Sequence, residues 1–124
     1  MRQQTILLIE DEPDMILLMD TRLRAGGFEV ISAMDGEAGL AKAEAEQPDL
    51  VLLDLRIPKI HGLEVCKRLK TAPTTRAIPI VVFTASVRGE LETQCLAAGA
   101  EAIVRKPFQP AQVLATIRSL LPAA

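Results

Sequence analysis

The chain has no tryptophan or tyrosine, only three phenylalanines, two cysteines and one histidine among its 124 residues. Cys66 and Cys95 lie far apart and form no C-x-x-C pair, which leaves a metal or redox motif unsupported and small buried hydrophobes as their reading. No apolar run approaches the ~18 residues of a membrane span. The opening M-R-Q-Q-T has no signal-peptide core, so a cytoplasmic protein is expected. A net charge of −2 gives no electrostatic case for direct contact with nucleic acid or an anionic membrane. What is present is 49% hydrophobic and 24% charged residues, the balance of a packed domain rather than a disordered chain. With no composition break, repeat or linker, a single domain over 1–124 is expected.

The most informative stretch is Leu50–Leu55, L-V-L-L-D-L, an apolar run that ends in one carboxylate, Asp54. Such a run reads as a strand buried on both faces, as in a parallel sheet covered by helices. Thr5–Ile9 reads the same way and runs into Glu10-Asp11-Glu12, after which Pro13 suits a first helical turn. That helix is predicted to stop at Gly26-Gly27, with Met15, Ile16, Leu17, Leu18, Met19 and Leu23 covering more than one face. Two readings stay open for it: a deeply packed helix, or one with apolar surface left for a partner. Further strands are predicted over Phe28–Ser32, Ile78–Thr84 and Ala102–Val104. Helices are predicted from Asp35-Gly36 to about Gln47, over Gly62–Lys70, from about Arg88 to Gly99, and over Pro110–Leu121. The count is (βα)5, an α/β doubly wound domain with parallel pairing and right-handed crossovers.

Residues at the strand ends carry the chemistry. Strand one ends at Glu10 and Asp11, strand three at Asp54, strand four at Thr84, and Lys106 follows strand five. In a parallel sheet these share one edge, and if the strand order is 2-1-3-4-5 the switch point falls between strands one and three. Crowded carboxylates repel unless a cation intervenes. Hard oxygen ligands suit Mg²⁺. A carboxylate held there can attack phosphorus, with a lysine and a hydroxyl neutralising the phosphoryl oxygens.

Taken together, I-E-D-E-P-D at 9–14, L-L-D-L-R-I-P at 52–58, F-T-A at 83–85 and K-P-F at 106–108 resemble the receiver domain of two-component response regulators. The resemblance covers essentially the whole chain and implies the flavodoxin-like five-stranded sheet in order 2-1-3-4-5, helices on both faces. It implies Asp54 as phosphoryl acceptor, Asp11 as direct Mg²⁺ ligand, Glu10 as second acid acting largely through water, and the Arg56 backbone carbonyl completing the protein's share of the coordination. Thr84 would hydrogen-bond the phosphoryl group, Lys106 would pair with it, and Ala85 would leave the pocket open. The Lys106–Pro107 bond is cis in the family. The implied partners are a histidine kinase or a histidine phosphotransfer protein, with a homodimer through helix four, strand five and helix five left open. The implied role is signalling, with no turnover beyond the domain's own phosphotransfer and autodephosphorylation.

Four positions depart from the family pattern. Glu10 stands where many members have Asp, Ile103 where an aromatic is usual, and His61 where an acid is common; Arg56 lies two residues past Asp54, at a position that lines the phosphoryl site and influences phosphoryl lifetime in the family. The rival readings are a haloacid dehalogenase-type phosphohydrolase, which needs an Asp where Arg56 stands, and a flavodoxin-type electron carrier, which lacks its hydroxyl- and glycine-rich loop over Ile9–Met15. A receiver-like module that no longer uses phosphate finds support only in Ile103.

Overall fold

A computed structural model of the chain describes residues 3–85 and 89–122. Five strands alternate with five helices: β1 Thr5–Ile9, α1 Pro13–Ala25, β2 Glu29–Ala33, α2 Gly36–Glu46, β3 Leu50–Asp54, α3 Gly62–Thr71, β4 Ile80–Thr84, α4 Gly89–Ala97, β5 Ala102–Arg105 and α5 Pro110–Leu120. All strand pairings are parallel and the order is β2-β1-β3-β4-β5. Parallel pairing is what the alternation leads one to expect, and the strand order is the one the resemblance implies.

The central strands are apolar on both sides because both sides are covered. Successive side chains alternate faces, so Ile6, Leu8, Leu50, Leu52, Val81, Phe83 and Val104 meet Met19 and Leu23 of α1 and Val113 and Ile117 of α5. Leu7, Ile9, Val51, Leu53, Ile80 and Val82 meet the other core, with Ala43 of α2, Val65, Cys66 and Leu69 of α3, and Cys95 of α4. Both cysteines are therefore core residues. Asp35 caps α2 by accepting from the Ala38 N–H at 2.7 Å, and His61 caps α3 by accepting from Leu63 N–H through Nδ1 at 3.2 Å.

Some boundaries differ from the sequence expectation. Strand β4 begins at Ile80 rather than Ile78, since Pro79 has no N–H to donate, though its carbonyl still accepts from Val51 at 2.9 Å. Strand β2 is shifted one residue, to Glu29–Ala33, because the Phe28 N–H is engaged by Leu23 O at the end of α1. The expected start of α4 at Arg88 lies outside the described residues. In α1 Met19 and Leu23 are packed in the core, while Leu17, 68% exposed, lies outside it. Among the described residues no helix is long and apolar enough to cross a membrane.

Candidate functional site

Register decides which side chains meet. Ile9 pairs with Leu53, so Glu10 and Asp54 stand level at the carboxyl ends of neighbouring strands. Glu10 extends the ladder by donating its N–H to Ala33 O at 3.0 Å. Asp54 pairs with Phe83, which places Thr84 one step further along β4, and Thr84 pairs with Arg105, immediately before Lys106. The residues singled out from the sequence thus reach one edge of the sheet, at the crevice where strand order reverses.

Glu10, Asp11 and Asp54 each offer a carboxylate oxygen within 4.8 Å of the others. Glu10 is fully buried, Asp54 is 4% exposed, and Asp11 is the open member. Lys106 Nζ lies 3.4 Å from Asp54 Oδ2 and 3.8 Å from Glu10 Oε1, held 4.9 Å from the centre of the Phe83 ring. Phe83 in turn meets Phe108 edge to face, with centroids 6.1 Å apart. Asp54 Oδ1 accepts the Arg56 N–H at 3.1 Å, and Glu10 Oε2 accepts the Asp11 N–H at 3.0 Å.

One cation does not balance three acids. Burial first, and then the adjoining Asp54 carboxylate, push the Glu10 carboxyl from 4.5 up to about 8, with Lys106 opposing the shift. Glu10 Oε1 is buried without a hydrogen-bond partner among the described residues. An orphaned buried oxygen among clustered hard donors is what a small divalent cation such as Mg²⁺ would satisfy, so the donor set fits that ion.

Thr84 is buried at the end of β4 and Ala85 is exposed just past it. Arg56 brings its backbone N–H to Asp54, while the residue itself is exposed. Ile103 is partly buried against the α3–α4 core. Pro107 is exposed and its peptide bond with Lys106 is cis. Gly62 was not singled out from the sequence. A Cβ there would come 2.5 Å from Leu55 Cα and 3.0 Å from Asp54 O, so only glycine lets α3 start against the backbone that carries the acid. Its one sequence signal is its place between His61 and the first apolar residue of α3.

A five-stranded parallel sheet in this order, with clustered acids and a lysine at its switch point, defines the class, a flavodoxin-like doubly wound domain. Residues 6–118 match the response regulator receiver domain, and the chain belongs to that family. It is 39% identical over 116 residues to the alkaline phosphatase synthesis transcriptional regulatory protein PhoP of Bacillus subtilis, covering 94% of this chain and 48% of that protein. It is 40% identical over 116 residues to the response regulator PleD of Caulobacter vibrioides, covering 93% of this chain and 25% of that one. The chain thus spans about half or less of the length of these curated relatives. Among solved structures, the chemotaxis response regulator CheY4 of Vibrio cholerae superposes with a TM-score of 0.90 at 28% identity, covering 97% of this chain and all of that one. The receiver domain of the sensor histidine kinase PA1611 of Pseudomonas aeruginosa superposes with a TM-score of 0.88 at 28% identity, covering 96% and 98%, and carries a magnesium ion in its active-site cleft.

Proposed function

We propose that Asp54 is the phosphoryl acceptor of this receiver domain. The observation that carries the reading is a nearly buried carboxylate at the end of β3, 3.4 Å from a lysine and clustered with two further acids. An Asp54 carboxylate oxygen attacks the phosphorus of a phosphohistidine on a histidine kinase or histidine phosphotransfer protein. The new P–O bond forms as the P–N bond breaks, and the electron pair leaves on the imidazole nitrogen, which takes up a proton. Lys106 neutralises the phosphoryl oxygens, Thr84 donates to one of them, and the small Ala85 keeps the pocket open. Glu10, Asp11, Asp54 and the Arg56 carbonyl would hold Mg²⁺, which supplies charge neutralisation of the transferring group.

The product gains roughly 1.5–2 negative charges, by analogy with other phosphorylated side chains. Drawing Thr84 and Lys106 toward that charge biases the face formed by α4, β5 and α5 between two states, and Ile103 and Pro107 lie along this route. On this reading the same face is the output surface and the surface for pairing with a second copy. No direct nucleic-acid contact is proposed for these residues. The test is labelling by a small acyl phosphate with and without a chelator. Label that needs Mg²⁺ and vanishes in Asp54→Asn supports the reading, and label that persists in that variant removes Asp54 from the role.

A further inference from the structure

Arg105, the last residue of β5, sits between two residues of the site. Thr84 is its partner across the β4–β5 ladder, and Lys106 follows it in the chain. The Lys106 N–H donates to the Thr84 carbonyl at 2.8 Å, which couples the ends of the two strands. The Arg105 side chain goes the other way. Alternation along β5 places it on the row of Ile103, which packs on the α3–α4 core. There its guanidinium grips the Glu92 carboxylate of α4 at two points, Nε to Oε1 at 2.7 Å and Nη2 to Oε2 at 2.5 Å. A two-point pair fixes orientation as well as distance. Glu92 is nearly buried, with Leu91 and Cys95 packed in the core beside it, while the Arg105 side chain is 69% exposed. The hydrogen bond from Arg105 also holds the Glu92 carboxyl below its usual range, so the pair is charged at neutral pH.

We propose that Arg105 is a positioning residue. Its pair with Glu92 holds the end of β5, and with it Lys106, in the arrangement that precedes phosphoryl transfer, and it is the link through which α4 answers the state of Asp54. This rests on the phosphoacceptor reading of Asp54. Any movement of Lys106 toward a phosphoryl group carries the Arg105 backbone with it and loosens a grip anchored on α4. Breaking the pair therefore removes resistance to phosphorylation and shifts the population toward the phosphorylated arrangement.

The experiment compares the full chain with Glu92→Gln, Arg105→Gln and the exchanged pair Glu92→Arg with Arg105→Glu. The readout is the rate of labelling by acetyl phosphate at saturating Mg²⁺. Each single variant is expected to label about two- to fivefold faster at low salt, the range set by an ion pair whose arginine faces solvent. That gain should fade near 1 M salt, where screening reaches about 3 Å, and the exchanged pair should return the rate toward that of the unaltered protein. Single variants that label at the unaltered rate or slower overturn the inference. So does a gain that ignores salt and is not repaired by the exchange. An unaltered protein that takes no label sinks the reading of Asp54 itself, and this inference with it.

Discussion

Glu10 ties the chemistry of the cleft to the stability of the whole domain. In the unfolded chain its carboxyl loses its proton near 4.5, whereas in the fold burial and Asp54 hold the proton until about pH 8. Between those values the folded state binds more protons than the unfolded state, so this contribution is complete below pH 4.5 and drains away as pH rises toward 8. Each pH unit removes up to about 1.4 kcal/mol, and the window as a whole sets a ceiling of about 5 kcal/mol. Because effective dielectrics in proteins lie nearer 20 than 4, a loss of about 2–3 kcal/mol is expected. Urea unfolding in a chelating buffer from about pH 5 to about pH 8.5 measures it. The series stops there because Cys66, raised by burial from 9.0 to about 11, adds a loss of the same sign above its ordinary range. Mg²⁺ at a hundredfold its dissociation constant should restore about 2.7 kcal/mol. In Glu10→Gln both the pH slope and the Mg²⁺ effect should shrink. A flat profile in the unaltered protein, or an identical slope in Glu10→Gln, means that Glu10 does not hold this proton in the fold.

Lys106→Met removes the cation beside Asp54 and Glu10, and labelling of Asp54 should slow about a hundredfold, as when one stabilising donor of a transition state is lost; an unchanged rate contradicts the role. Gly62→Ala forces a methyl against Leu55 Cα and should cost about 1–3 kcal/mol in urea unfolding while weakening Mg²⁺ affinity, since the displaced backbone carries Asp54. Arg56→Ala keeps the backbone bond to Asp54 and alters only the side chain, so a changed decay rate of phospho-Asp54 is expected, and an unchanged one removes the side chain from the site.

Much of the architecture was legible because the central strands β1, β3 and β4 are buried on both faces and read as short apolar runs that lead into Glu10, Asp54 and Thr84. Asp54 and Glu10 could be paired from the sequence once the strand order was assumed. What the sequence could not show depends on register and close approach. The grip of Arg105 on Glu92 joins residues 13 apart whose helix and strand meet only in the fold. Gly62 reads as an ordinary helix start until the Asp54–Leu55 backbone is seen against it. Leu17 and Leu18 have the side chains of core residues, and only the placement of α1 against β2 and α5 leaves them facing outward. His61 read from the sequence as an exposed loop residue, and it is exposed, with its ring used to cap α3.

On the reading proposed above, one side chain, Asp54, becomes an acyl phosphate. Borohydride reduces such a carboxyl phosphate to an alcohol, so treatment after labelling, followed by peptide mass mapping, reports the site directly. Homoserine is expected at position 54 and nowhere else. Homoserine at Asp11 or at another acid, or an unmodified Asp54 peptide from labelled protein, would contradict it.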